Sequence, residues 1–274
     1  MTIFAIRDES RKMPDGSDAT VGFLFYIDRA KRFYAELPSD LGKWDVPAMF
    51  YGQVGRRNHS IDHELALKWV RQRIVPAERQ NISSILRDNN LKEYDEYRLL
   101  VLSAGRCAQD DQYIVRAGYE DLPDEIRLRL ETNVRDIMTL SGRTTVVFFC
   151  DGSARTIDIS RLTEEDIAFK TVLDKDDVFH RVKVSPGGFG IEWDRDRFIG
   201  ARRLYTSGKM SEILYDDVLR FAKSRLSDTS AAMSKLGVSR QYVDQLVKQD
   251  KLHPVISRPG TRVFTSAEME TGLF

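Results

Sequence analysis

The chain of 274 residues carries 42 basic and 42 acidic residues, with 42% hydrophobic and 31% charged positions. This composition excludes a wholly disordered chain and a uniformly basic nucleic-acid coat, and no apolar run approaches the roughly 20 residues that span a bilayer. The opening MTIFAIRDESRK lacks the pattern of a secretory signal, and two cysteines, Cys107 and Cys150, lie far apart without metal-ligand spacing. The expectation is a cytoplasmic protein with reduced thiols, no membrane association, no cofactor and two or three domains.

Residues 1–140 read as an N-terminal mixed α/β domain. Aromatic and β-branched residues at 21–27 and 32–37 predict a hairpin joined by Asp28-Arg29-Ala30-Lys31. Ser60 reads as a helix cap, with Ile61, Leu65 and Trp69 following at four-residue steps, Ala66 and Val70 widening the stripe, and Pro76 closing it. Further helices are expected at 77–88, 95–103 and 123–137, and Phe23, Phe25, Trp44 and Trp69 are expected in the core. His59 and His63 stand four apart beside Asp62 and Glu64. His59 precedes the expected cap, however, and no third ligand converges, so the expectation is no metal site. Arg71, Arg73, Arg79, Arg87 and Arg106, with Asp110 and Asp111, are the residues a nuclease would use to hold phosphate and supply an acid. An ion-pair network explains them more simply, so no catalytic residue and no enzyme is expected.

Residues 141–206 read as a small β-β-α-β-β domain. TTVVFFCDGSARTIDI predicts two strands around Asp151-Gly152. Thr163 is expected to start a short helix with Glu164, Glu165 and Asp166 in its first turn. A second strand pair, 179–184 and 190–193, is expected around Pro186-Gly187-Gly188, a glycine-rich turn without the lysine of a phosphate loop. The run FCDGSARTIDISRL, followed by VFHRVKV, IEWDRD and ARRLY, resembles the bacterial domain of unknown function 2442. That resemblance implies a small α+β domain, sometimes followed by a helix-turn-helix, and no activity.

Thr206-Ser207-Gly208-Lys209 reads as a linker, leading to a connecting helix within 207–228 whose Leu214, Val218, Phe221 and Ala222 form one apolar face. That face is expected to pack on the central domain or on a second copy. The final segment, 229–274, has the charge that the rest lacks. Between 229 and 264 stand six basic residues (Lys235, Arg240, Lys248, Lys251, Arg258, Arg262) against Asp244 and Asp250, a net +4 that leaves −4 elsewhere. A basic module on an acidic body is the distribution of a nucleic-acid reader joined to a sensing or assembly domain.

Within that module Thr229 is expected to cap a first helix containing Ala231, Ala232 and Met233. Gly237 is expected in the turn and Ser239 to cap a second helix over 239–250. Val243, Leu246 and Val247 face inward, and Arg240, Gln241, Asp244 and Lys248 outward. Arginine pairs with guanine, glutamine with adenine, and Asp244 accepts from cytosine or orients Arg240. Lys248 and Lys251 suit phosphates. VISRPGTRVF predicts a hairpin over 255–264 with Arg258, Thr261 and Arg262 near its tip, before a short helix from Thr265-Ser266.

This order resembles the excisionase and MerR-like winged helix-turn-helix family. The resemblance implies a reader of double-stranded DNA without enzymatic activity, its helix in the major groove and its wing on the backbone or in the minor groove. The expected whole is an α+β bacterial transcription regulator, acting as a homodimer. The alternative is an antitoxin-like protein that binds a protein partner through its N-terminal or central domain and represses its own operon.

Overall fold

Strand alternation explains the first sheet. In the computed structural model, which describes residues 1–164, 166–194 and 196–271, five antiparallel strands pair in the order Ser60–Ile61, Arg32–Glu36, Asp18–Ile27, Thr2–Lys12 and Gln112–Ala117. Successive residues of a strand point to opposite faces. Phe4, Ile6, Leu24, Tyr26, Phe33 and Ala35 therefore pack on one side, beneath Trp69, Val70, Leu99 and Leu100. Ile3, Ala5, Phe23, Phe25 and Tyr34 pack on the other, against Leu122, Ile126 and Phe189. Both faces are buried, which is why these strands read as nearly continuous apolar runs rather than alternating ones.

The hairpin 18–36 turns through Asp28–Ala30, with Lys31 in the left-handed region at φ 52°. The helix after it is His63–Arg71, capped by Asp62, whose carboxylate accepts from the Leu65 N–H at 2.9 Å. Ser60, expected as the cap, instead pairs with Glu36 in the edge strand. The expected helices at 77–88 and 95–103 are shorter, Ile82–Asp88 and Glu96–Leu102, the second capped by Asp95. The helix expected at 123–137 stops after Asp124–Glu131, and Val134–Thr139 is a strand. Pairing of that segment with the apolar strand Thr144–Phe149 overrides its local preference. Trp44 is 73% exposed, outside the core that holds Phe23, Phe25 and Trp69, and its ring meets Tyr51 edge-on under the Lys43 ammonium.

A four-stranded sheet runs Lys209–Met210, Ala154–Asp158, Thr144–Phe149, Val134–Thr139, and a three-stranded one runs Phe198–Gly200, Gly190–Glu192, Lys183–Val184. They share a core of Val147, Phe149, Ile157, Phe179, Ile191 and Leu204. Thr163 does not begin a helix. It closes Ile159–Leu162, its hydroxyl donating to the Ile159 carbonyl at 2.8 Å, and Asp158 is the cap. Glu165, expected in that helix, and residues 272–274 lie outside the described residues. Thr206 and Ser207 are helical in Ala201–Ser207, and Lys209–Met210 joins the sheet edge, so the expected linker belongs to the domain.

Met1–Ser211 forms one unit and Glu212–Phe274 a second. Within the first, residues 1–140 and 141–206 meet where Phe189 stacks on Tyr34, centroids 4.2 Å apart, and where Arg32 pairs with Glu192 at 2.5 Å. The fold is α+β. No helix among the described residues is long and apolar enough to cross a membrane.

Candidate nucleic-acid interface

The second unit is built on two capped helices and a three-stranded sheet. Asp228 caps Thr229–Leu236 by accepting from the Ala231 N–H at 2.7 Å, so the cap lies one residue before the expected Thr229. Gly237 ends the helix at φ 66°, and the Val238 N–H reaches back to the Met233 carbonyl at 3.1 Å. Ser239 caps Arg240–Lys248, accepting from the Tyr242 N–H at 3.3 Å. That helix closes through Asp250 in the left-handed region at φ 56°, with the Lys251 N–H bound to the Leu246 carbonyl at 2.9 Å. Ala232, Val243, Leu246, Leu252, Phe264 and Met269 form the core beneath, joined by Leu236 and Val238.

The wing is the antiparallel pair Ile256–Arg258 and Thr261–Thr265. A third strand, Leu226–Asp228, pairs with the second of these and was not foreseen. At three residues it has no period of its own to read. Gly260 makes the turn at φ 78°. Alternation along Thr261–Thr265 puts Arg262 on the same side as buried Phe264, toward the helices. Arg262 accordingly forms an ion pair with Asp244 on the second helix. The carboxylate expected to read cytosine or orient Arg240 is engaged by the wing.

At 3.6 residues per turn the outer surface of Arg240–Lys248 divides in two. Gln241 and Lys248 lie opposite buried Val243 and Leu246, with Gln245 beside them, and all three are exposed. Arg240 and Asp244 occupy the edge toward the wing. There, with Arg258, Thr261 and Arg262, they line a cleft of about 440 Å³. Tyr242 stands exposed on the opposite edge. Gln245 and Tyr242 were missed by sequence reasoning, although the i, i+4 step from Gln241 to Gln245 was available. Lys251 is exposed beyond the helix end and belongs to neither group.

Of the six basic residues behind the local charge, Lys235 donates to Ser266 at 2.6 Å and Ser227 at 3.2 Å, bracing the first helix. Arg262 is paired. Arg240, Lys248, Lys251 and Arg258 have no ion-pair partner among the described residues. His253 holds the entry to the wing: its backbone N–H and its ring nitrogen both meet the Glu268 carboxylate, at 3.0 and 2.6 Å. That bond and the nearby Asp250 raise the imidazole above its ordinary pKa.

The other candidate residues lie in the first unit. His63 accepts the Phe33 N–H on Nδ1 at 3.1 Å. Arg73 is buried against the Trp69 ring and paired with Asp110. Arg71 pairs with Glu96, and Arg106 with Glu9. No family model matches the chain, and neither the curated proteins nor the solved structures contain a match.

Proposed function

We propose that the chain is a sequence-specific DNA-binding regulator of transcription, reading the major groove with Arg240–Lys248 and lying against the backbone or minor groove with its hairpin. The observation that carries this reading is the crest of Gln241, Gln245 and Lys248, which stands exposed on the face opposite the core, while the neighbouring edge, Arg240 and Asp244, faces the arginines of the hairpin. Glutamine offers a donor and an acceptor on one amide, the pattern that reads adenine, and an unpaired lysine meets phosphate or guanine. The excess of unpartnered cations supplies the sequence-independent attraction that such a reader needs. The action proposed is cytoplasmic binding without a cofactor or catalytic step. Gel-shift titration against random and genomic duplexes tests it: binding that weakens steeply with salt and favours particular sequences is expected.

A second copy completes the proposal. The helix Tyr215–Arg225 buries no residue fully, and Leu214, Leu219 and Phe221 are exposed, Phe221 by 57%. Its first turn carries the acid Asp216 and its last turn the base Lys223. An antiparallel pair about a two-fold axis sets the acid of one copy against the base of the other. Such a dimer would cover two half-sites about 34 Å apart.

A further inference from the structure

The cleft between the reading helix and the wing is polar and carries three guanidinium groups against one carboxylate: Arg240, Arg258 and Arg262 against Asp244. Asp244 is paired with Arg262, so the carboxylate is neutralised within the wall. Arg240 on one wall and Arg258 on the other remain without an ion-pair partner among the described residues, and Thr261 also lines the cleft. Two cations held across a polar cleft suit an anion with several acceptor oxygens, because guanidinium forks bind such oxygens in pairs. A base edge offers no net charge to balance them.

We propose that this cleft is a phosphodiester slot, in which one backbone phosphate of the bound duplex enters between the start of the reading helix and the turn of the wing. Arg240 and Arg258 grip it from opposite sides. The Asp244–Arg262 pair is the strut that keeps helix and hairpin at a fixed separation. The inference rests on the DNA reading and assigns Arg240 to the backbone, leaving the crest residues to the bases.

The test measures binding of the full chain to a duplex selected from a random pool and to a scrambled duplex, between 50 and 200 mM salt. Arg240→Ala and Arg258→Ala are expected to weaken both duplexes by the same several-fold factor. Each should make the slope of log K against log salt shallower by about 0.9, the loss of one neutralised phosphate. Arg240→Lys, which keeps the charge but not the fork, should restore the slope and only part of the affinity. Both side chains are exposed, and thermal melting confirms that the variants remain folded. A tenfold or larger loss of preference for the selected duplex at unchanged slope would overturn the slot, since Arg240 would then be reading a base. So would wild-type binding that neither alanine variant alters. Absence of any binding by the wild type would instead remove the DNA reading, and the slot with it.

Discussion

At the scale of single residues, two carboxylates show how environment decides a role. Asp244 stands where a base reader would, yet its charge is taken up by Arg262. Asp244→Asn removes a negative charge from the cleft and leaves the Arg262 charge uncompensated, while the amide oxygen still accepts from Arg262 and keeps the strut between helix and hairpin. Affinity for all duplexes should therefore rise a few-fold, measured by fluorescence anisotropy, and a loss confined to cytosine-containing sites would contradict this account. Glu36 is the opposite case, 3% exposed on its strand, accepting from Ser60 at 3.0 Å and paired with Arg129 at 3.3 Å. Burial raises its carboxyl from 4.5 to about 7, against the pull of Arg129 and Ser60. The native chain then keeps a proton that the unfolded chain has released, so stability falls as pH rises from about 4.5 to about 7 and is level above. Glu36→Gln should flatten that slope, which amounts to no more than about 3 kcal/mol. Denaturant titrations at pH 5 and pH 8 measure it, and an unchanged slope in the variant would assign the pH dependence to other groups.

At the scale of elements, the helices Thr229–Leu236 and Arg240–Lys248 are the most legible part of the chain, because each local signal agrees with the next. Gly237, Ser239, the inward Val243 and Leu246, and the Pro259-Gly260 turn each specify the same arrangement. The space around Gly237 is open, with nothing within 4 Å of an added Cβ. Gly237→Ala should therefore cost only the left-handed backbone, about 1–2 kcal/mol, without a steric penalty. Leu246→Ala opens the core beneath the reading helix and should cost about 2–5 kcal/mol, abolishing binding before the first unit is affected. Melting of the second unit followed together with DNA binding checks both.

Several misread features are set by a partner outside the local window, whereas the caps at Asp158 and Asp228 have local partners. Residues 134–139 form a strand because Thr144–Phe149 lies beside them, and the cap at 62 rather than 60 follows from pairing of Ser60 with Glu36. The pairing of Arg262 with Asp244, across 18 residues, is invisible to helical periodicity for the same reason. Face assignment within the reading helix needed only the 3.6-residue period, whereas the division between crest and cleft needed the wing in place.

At the scale of the whole molecule, a unit of 63 residues, Glu212–Phe274, carries the proposed reader, and Met1–Ser211 carries three further cores. One small reader of this size would bury too little surface on DNA for high affinity, which is the physical purpose of the proposed second copy. Phe221→Glu places a charge on the exposed face of Tyr215–Arg225 and should convert a dimer into a monomer in sedimentation analysis, lowering DNA affinity without altering base preference. A wild-type chain that sediments as a monomer at tens of micromolar would refute the self-association.

Sequence-specific DNA binding by the crest of Arg240–Lys248 is tested by selecting bound duplexes from a random pool with the 274-residue chain and with Gln241→Ala. The wild type is expected to enrich a defined site. The variant should lose preference at one position of it, by about 1–3 kcal/mol. Recovery of unselected sequences by the wild type, or no recovery at all at 50 mM salt, would contradict sequence-specific binding.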